Sequence, residues 1–243
     1  MKPTDVRLGR LFGVATLSSN SLIAGIDGCK GGWVIVSETC DGRVDVDVVP
    51  EFRVVLERHY QLVVVDIPIG LLDKGTRFAD QEARRLLKRR SCCVFSAPLR
   101  PTLACSDYAE AKKYRLTTEG KGLTKQAWAI VPKITEVDRL LTPEMQSCVR
   151  EGHPEVSFAQ INDGEAMSCS KHSLEGRRER ISLLEKHFST VASQIQAHSR
   201  ITEDLIDAYA LLWTARRIRS GQVVALPEQS PIDAKELLMQ IWA

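Results

Sequence analysis

Residues 22–37 read LIAGIDGCKGGWVIVS, a pattern that predicts two strands joined by a tight turn. Both ends of the stretch are apolar and rich in β-branched residues, as strands are. The middle, 27-DGCKGG-32, has the glycines that tight turns use. Asp41-Gly42 marks another turn, and residues 43–49 alternate between polar and apolar side chains, which is typical of a half-buried strand. We therefore expect three strands in meander order.

A helix and a fully apolar strand are expected next. Residues 51–59 follow Pro50 and place their apolar side chains on one helical face. Residues 62–65 are apolar throughout and lead directly into Asp66. An apolar run after a helix is typical of a central parallel strand that is buried on both faces. The predicted order is therefore β-β-β-α-β.

The remainder of the chain is predicted to be mostly helical. A polar segment at about 71–145 forms a long insertion between the fourth and fifth strands, and long insertions are often functional. Pro98 and Pro101 indicate a loop at 92–103. The predicted helices span 78–90, 106–117, 125–141, 174–187 and 202–219, and a fifth strand is expected at 148–158.

Length and composition favour a single elaborated globular domain. The 243 residues carry 33 Lys and Arg against 31 Asp and Glu, and a net charge of +2 argues against bulk coating of nucleic acid. No apolar run approaches the ~20 residues that a membrane span requires. The seven cysteines form no CxxC pair, which argues against a zinc site and favours reduced thiols in the cytoplasm. We expect a tail at 1–20 and one domain at 21–243.

Four aspartates fall where the predicted elements would bring them together. Asp27 ends the first strand, Asp66 ends the fourth, and Asp204 and Asp207 lie in the last helix. That helix is apolar nearly all round, which predicts burial, and a buried carboxylate needs a compensating partner. Clustered carboxylates repel one another unless a hard cation lies between them. Mg²⁺ or Mn²⁺ is the natural partner for such oxygen ligands.

Each aspartate also has an ordinary structural explanation. Asp204 and Asp207 lie near the N-terminus of their helix, where negative charge is favourable. Asp27 precedes a glycine in a turn, where aspartate is common, and Asp66 is placed to cap the segment that follows it. The residues alone leave both explanations open.

The motifs around these aspartates resemble those of an uncharacterised-domain family described as predicted RNase H-like nucleases. The resemblance runs from about residue 22 to residue 240, with the order of the motifs kept. Residues 91–93 read Ser-Cys-Cys, where such sequences look serine-rich. The motifs that carry the resemblance are 25-GIDGCKGGW-33, 66-DIPIGL-71, 83-ARR-85 with Arg90, 94-VFSAP-98 with Arg100, 133-KITEVD-138, 153-HPEVSF-158 and 204-DLIDA-208.

The resemblance implies a ribonuclease H-like α/β fold, with a five-stranded mixed sheet, its first three strands antiparallel, and helices on both faces. The final Asp-x-x-Asp-Ala is also similar to the last acidic motif of Holliday-junction resolvases. By that similarity Asp27, Asp66 and Asp207 are the core metal ligands. Asp204 is a fourth acidic candidate, and Glu155, expected at the end of the fifth strand, is able to join them. The implied reaction is phosphodiester hydrolysis by two Mg²⁺ or Mn²⁺ ions about 3.5–4 Å apart.

Basic side chains are candidates for holding the phosphate groups of a nucleic acid or another phosphodiester. Five of them crowd into residues 84–90, although a basic helix is usually just solvated. Lys30 lies in the glycine turn, and Gln126 and Lys133 share one face of a single predicted helix. The expected substrate-binding residues are Lys30, Arg84, Arg85, Arg90, Arg100, Gln126 and Lys133.

Three other functions compete with the nuclease. An ATP-handling protein of the actin or sugar-kinase type shares the β-β-β-α-β order, but such proteins normally need two such domains. A non-catalytic module that binds nucleic acid or a partner would keep the acidic residues as a structural network. A cysteine nucleophile would use Cys92 or Cys93, beside the basic helix, where a thiol pKa is lowered.

Overall fold

The computed structural model describes residues 22–243, so the tail expected at 1–20 lies outside the described residues. These residues form a sheet of seven strands in the order β3-β2-β1-β4-β5-β7-β6. The strands are β1 (Ile23–Cys29), β2 (Gly32–Glu38), β3 (Val44–Val49), β4 (Leu62–Val65), β5 (Val149–Gly152), β6 (Ala225–Leu226) and β7 (Ile241–Trp242).

The pairing confirms the predicted meander and the predicted parallel strand. β1 pairs with β2 and β2 with β3 in antiparallel register, whereas β4 is parallel to β1 and β5 is parallel to β4. The prediction of five strands was wrong, because β7 adds to β5 and β6 pairs with β7 in the described chain. These two strands have two residues each, which is too short for a periodic pattern to show in the sequence.

Nine α-helices and four short 3₁₀ helices complete the described part of the chain. The helices are α1 (Phe52–Glu57), α2 (Phe78–Leu87), α3 (Tyr108–Glu119), α4 (Lys125–Ala129), α5 (Val131–Leu140), α6 (Pro154–Ile161), α7 (Leu174–Glu185), α8 (Val191–Ala197) and α9 (Thr202–Arg219). The 3₁₀ helices are Lys88–Cys93, Arg100–Ala104, Glu144–Ser147 and Ser199–Ile201.

Proline placement corrects two of the predicted elements. The strand expected at 148–158 ends at Gly152, because Pro154 opens α6, and proline is well suited to the first position of a helix. Glu155 therefore lies in the first turn of a helix rather than at the end of a strand. The helix expected at 125–141 is two helices that meet at Ile130, with Pro132 in the first turn of the second.

Alternate residues of the central strands face two separate cores. Val34, Val36 and Val64 pack with α9 and α7 on one face of the sheet. Ile26, Ile35 and their neighbours pack with α1 and α5 on the other. Helices therefore cover both faces, as predicted, and α9 is buried at every residue from 205 to 215.

Gly25 sets how closely α9 approaches the sheet. A methyl group at this position would overlap the main chain of α9 at the Ala208 oxygen and the Leu212 nitrogen. Backbone atoms in a buried helix have little freedom to move aside, and overpacking a core typically costs about 1–3 kcal/mol or more.

Replacing Gly25 with alanine is expected to lower the free energy of unfolding by about 3 kcal/mol, because α9 must move away from β1. Urea unfolding of the two proteins measures this loss. Gly122→Ala is the matched control, since a methyl group there makes only ordinary contacts with Lys112. A Gly25→Ala protein as stable as the Gly122→Ala control would contradict the close packing of α9.

Candidate functional site

Asp27 and Asp66 lie side by side near the carboxyl ends of two neighbouring strands. The expectation that Asp27 ends the first strand was wrong by two residues, because β1 continues beyond it through its pairing with β2. Ile26 of β1 pairs with Val65 of β4 in parallel register, so the next residue of each strand is an aspartate. The Asp66 amide donates a hydrogen bond of 3.0 Å to the Ile26 carbonyl. Alternation along β1 places Asp27 on the face that α9 covers, two residues beyond Gly25.

The first turns of α9 bring Asp204 and Asp207 to the same place. The two residues are three apart and so lie on one side of the helix. Asp207 is only 2% exposed, and Asp204 is partly exposed at the edge of the cluster. The charges of Asp66, Asp207 and Asp204 all raise the pKa of Asp27. The sequence prediction of an acidic cluster of these four aspartates, hereafter the acidic cluster, therefore agrees with their placement.

Burial and mutual repulsion make the acidic cluster costly to ionise. Burial raises the pKa of Asp27 well above its usual range, and repulsion from Asp66 and Asp207 adds to this. Burial is also the main cause of the raised pKa of Asp66 and of Asp207. At Asp204, burial and the Asp207 charge raise the pKa to about 6. Such a group of carboxylates favours a cation as a partner.

Lys171 supplies a positive charge to this cluster, and the sequence analysis missed it. Its Nζ atom lies 2.6 Å from Asp207 Oδ2. Its charge lowers the pKa of each of the four aspartates and so opposes the effect of burial. Lys171 lies in the connection between α6 and α7, which has no periodic pattern, so no signal in the sequence connected it with the aspartates.

The loop that carries Lys171 is fixed to α7. Glu179 accepts hydrogen bonds from the Ser168 amide at 2.9 Å and the Cys169 amide at 3.1 Å. A methyl group on Gly176 would overlap the Ser170 carbonyl, so only glycine lets the loop lie this close to the helix. The lysine is therefore held in position by its own loop as well as by Asp207.

Glu155 lies beside the acidic cluster but is already paired. Arg180, which is 1% exposed, donates to it from Nη2 at 2.6 and 2.8 Å and from Nε at 3.0 Å. The charge of Glu155 raises the pKa of Asp66 and of Asp207, which shows its proximity. Arg90 Nη2 lies 3.9 Å from Glu155 Oε2, so this predicted phosphate-binding residue also lies near the cluster.

Two predicted basic residues lie in or beside the β1–β2 turn. Lys133 donates to the Gly32 carbonyl and lies 4.2 Å above the centre of the Trp33 ring. Its charge lowers the pKa of Asp204, so the α5 lysine lies within electrostatic reach of the aspartates. Lys30 is exposed at the tip of the same turn. Lys133 therefore lies beside the cluster, whereas Lys30 has no contact with its aspartates in the described part of the chain.

The other predicted substrate-binding residues lie elsewhere or have structural partners. Arg84 donates to the Val94 carbonyl at 3.0 Å and to Ser96 Oγ at 2.9 Å, which fixes the loop after α2. Arg100 pairs with Asp138 at 2.9 Å and also with Asp233. Arg85 is exposed and pairs with Glu82 of its own helix. Gln126 is exposed on α4, and the break at Ile130 removes the shared helical face that linked it to Lys133.

Cys93, one of the two cysteines considered as an alternative nucleophile, does not receive the expected activation. Burial raises the pKa of the Cys93 thiol, and the charge of Glu155 raises it further. Arg90 opposes these effects but contributes less than burial and Glu155 do. A nucleophilic cysteine requires a lowered pKa, so Cys93 does not fit that role.

The acidic cluster fits a hard divalent cation in donor chemistry and in charge. Carboxylate oxygens are the ligands that Mg²⁺ and Mn²⁺ prefer, and the ammonium group of Lys171 already stands in for a cation at Asp207. As the side chains stand, no group of three or more His, Cys, Asp or Glu within residues 22–243 is arranged so that it could hold a metal ion. A cation held by Asp27, Asp66 and Asp207 therefore requires these side chains to close around it.

A wide groove lies away from the acidic cluster, on the face of the sheet that α1 and α5 cover. Its volume is about 690 Å³, and its lining includes Trp128, Arg53 and Arg139. None of the predicted site residues lines it. The concentration of perturbed carboxylates rather than the size of the groove therefore identifies the candidate site.

The pKa values of the buried acids predict that stability falls as the pH rises through mildly acidic values. Asp204 has a pKa of about 6 against an ordinary value of 3.8, and Glu151 has one of about 7 against 4.5. The folded chain therefore binds more protons than the unfolded chain in this window. The stabilisation is complete below about pH 4 and is lost as the pH passes 7.

Urea unfolding between pH 4 and pH 8 tests whether the free energy of unfolding falls as the pH rises. Asp204→Asn is expected to make that fall shallower, because one of the carboxyl groups that cause it is gone. Asp45→Asn, at an exposed strand position, is the control and should leave the slope as it is. A free energy of unfolding that rises from pH 4 to pH 7 would contradict the burial of these acids.

Comparison with known families gives one match. A model of the family described as "Protein of unknown function (DUF429)" matches residues 25–232, which is most of the chain. The match confirms the resemblance to an uncharacterised domain family, while the nuclease activity attached to that resemblance stays a prediction. No curated protein and no solved structure matches the chain. None of the helices within residues 22–243 combines the length and the apolar character that crossing a membrane requires.

Proposed function

The chain belongs to the DUF429 family of proteins of unknown function, and we propose that it is a metal-dependent hydrolase that cleaves phosphodiester bonds at the acidic cluster. We also propose that its fold is ribonuclease H-like. The strand order β3-β2-β1-β4-β5, with the first three strands antiparallel and the next two parallel, supports this assignment. β7 and β6 extend that sheet beyond β5.

The observation that carries the proposal is the convergence of the four aspartates. Two lie near the carboxyl ends of neighbouring parallel strands and two lie in the first turns of α9, which is itself fixed on β1 at Gly25. Natural proteins rarely bury charges without a partner, because the loss of hydration is large. Helix capping explains Asp204 and Asp207 separately, but it does not explain why Asp27 and Asp66 face the same side chains.

Asp27, Asp66 and Asp207 would hold the metal, with Asp204 at the exposed edge of the cluster and Glu155 behind it. Mg²⁺ or Mn²⁺ bound there supplies activation of water and neutralisation of the charge that develops on the leaving oxygen. The carboxylates would fix the position of the cation. Lys133 borders the β1–β2 turn and Lys30 lies in it, where their charges would attract and orient the phosphate group. Arg90 would act in the same way from beside Glu155.

The substrate class is an anionic phosphodiester, with nucleic acid the first candidate. The net charge of +2 does not favour bulk coating of nucleic acid, so recognition would depend on the local basic residues around the acidic cluster. We place the protein in the cytoplasm as part of this proposal. Cys29, Cys92, Cys93, Cys105, Cys148 and Cys169 are free thiols, which supports a reducing compartment.

A non-catalytic binding module is the second candidate function, and the ion pairs favour it. Lys171 neutralises Asp207 and Arg180 neutralises Glu155, so part of the acidic charge is balanced without a metal. In that case the aspartates would form a structural network. Calorimetric titration with Mn²⁺ separates the two functions, since the module has no need to bind the ion.

The direct experiment is a cleavage assay with the purified protein on labelled single-stranded and double-stranded DNA and RNA, and on a small phosphodiester. The proposed function predicts products with Mg²⁺ or Mn²⁺ and none with a chelator. Cleavage that persists in the chelator, or no cleavage of any substrate together with no Mn²⁺ binding, would contradict it.

A further inference from the structure

Lys171 has the position of a counter-ion rather than that of a surface lysine. Its ammonium group donates a 2.6 Å hydrogen bond to Asp207, whose side chain is 3% exposed, while 36% of the lysine side chain remains exposed. Its charge acts on all four aspartates of the acidic cluster. A lysine that only covered the surface would not reach a buried carboxylate in this way.

Several independent contacts hold the loop that carries Lys171. The two amides before Ser170 are bound by Glu179, and Arg180 Nη1 donates to the Cys169 carbonyl at 3.3 Å. Gly176 gives the Ser170 carbonyl the room that any side chain would take. Ser173 Oγ bonds the same carbonyl at 3.0 Å and caps α7 through the Gly176 amide. The lysine thus extends from a rigid loop toward the aspartates.

Lys171 and a divalent cation would compete for Asp207 Oδ2, the oxygen that the lysine already bonds. An ammonium group and a divalent cation on the same carboxylate oxygen would repel each other across a short distance in a site of low polarity. The single charge of Lys171 also balances only part of the acidic cluster. A divalent cation balances more of the negative charge of the acidic cluster, so its displacement of the lysine is favourable.

We propose that Lys171 and a divalent cation are alternative counter-ions of Asp207, so that binding of the ion releases the lysine from the acidic cluster. This inference rests on the proposed function, because it requires that the cluster bind the ion. It accounts for the lack of a ready-made metal site among residues 22–243 as the side chains stand. It also makes Lys171 a positioning residue, which holds Asp207 and balances part of the negative charge of the acidic cluster until the ion arrives.

The test measures Mn²⁺ affinity by calorimetry in the full chain and in two variants. Lys171→Met keeps the length of the side chain and removes its charge, so the competition ends and Mn²⁺ is expected to bind at least about tenfold more tightly. Lys133→Met is the matched control, since Lys133 also acts electrostatically on Asp204 but bonds to the Gly32 carbonyl. It is expected to change the affinity by less than about threefold.

The outcomes separate the inference from the proposed function. If the wild type binds Mn²⁺ and Lys171→Met binds it no more tightly than Lys133→Met does, the competition is refuted and the metal site stands. If neither the wild type nor Lys171→Met binds Mn²⁺, both the proposed function and the inference fail.

A second measurement does not depend on a variant that folds. The ammonium signal of Lys171 in the nuclear magnetic resonance spectrum of ¹⁵N-lysine-labelled wild type reports its hydrogen bond. Addition of Mg²⁺ is expected to shift this signal or remove it by faster exchange with water. A signal unchanged at saturating Mg²⁺ would overturn the exchange of counter-ions.

Discussion

Asp27→Asn is expected to abolish metal-dependent cleavage, with a loss of rate of at least about 100-fold that brings it to the level seen without Mg²⁺. The substitution removes one negative charge and one hard ligand from the middle of the acidic cluster. It keeps the local structure, because the side-chain oxygen of asparagine can still accept the 2.6 Å hydrogen bond that Asp27 takes from the Gly28 amide. The rate of cleavage with saturating Mg²⁺ is the measurement.

The same variant is expected to be more stable than the wild type. Burial and the charges of Asp66 and Asp207 disfavour ionised Asp27, so removing its charge should raise the free energy of unfolding at pH 7 by about 1 kcal/mol or more. Asp45→Asn, an exposed position on β3, is the control for both measurements. An Asp27→Asn protein that cleaves as fast as the wild type would refute the catalytic role of the cluster.

Arg180→Met is expected to lower the free energy of unfolding by about 3–5 kcal/mol, because it leaves Glu155 ionised and buried without its main partner. Glu155 is 4% exposed, and the next cation, Arg90, lies 3.9 Å away. The variant also loses the bond from Arg180 to the Cys169 carbonyl, which helps to hold the loop of Lys171. Urea or thermal unfolding measures the effect.

The double variant Arg180→Met/Glu155→Met distinguishes the cause of that loss. Replacing both partners of a buried pair with apolar side chains is often nearly neutral, so about half of the lost stability or more should return. A double variant as unstable as Arg180→Met alone would show that the loss comes from the packing of α7 and its loop. A single variant that loses less than about 1 kcal/mol would contradict the burial of the ion pair.

The order of the first five strands and the acidic cluster were predictable because strong local patterns mark them. The glycines of 27–32 mark the first hairpin, although β1 and β2 extend into this segment and leave the turn at 30–31. The fully apolar run of β4 marks the central parallel strand. Asp27 lies near the end of β1 and Asp66 directly follows β4, so a correct order of strands already brings the two together. The unbroken apolar surface of α9 likewise predicted its burial against the sheet.

The residues that balance the acidic charge were not predictable in the same way. Lys171 lies in an irregular loop, and Arg180 is one of several charged residues on α7, so neither has a local pattern to mark it. Their partners are distant in the chain, since Arg180 pairs with Glu155 and Lys171 with Asp207. The basic run at 84–90 is conspicuous in the sequence, but its density does not show where each side chain goes, since Arg85 pairs with Glu82 of its own helix and Arg90 lies beside Glu155.

Soaking crystals of the protein in Mn²⁺ tests whether the acidic cluster is a metal site. We predict an anomalous peak bounded by the carboxylates of Asp27, Asp66 and Asp207, with the Lys171 ammonium group no longer in contact with Asp207. Fully occupied Mn²⁺ elsewhere in the same crystal, with Lys171 still bound to Asp207 and no peak among the three aspartates, would contradict it.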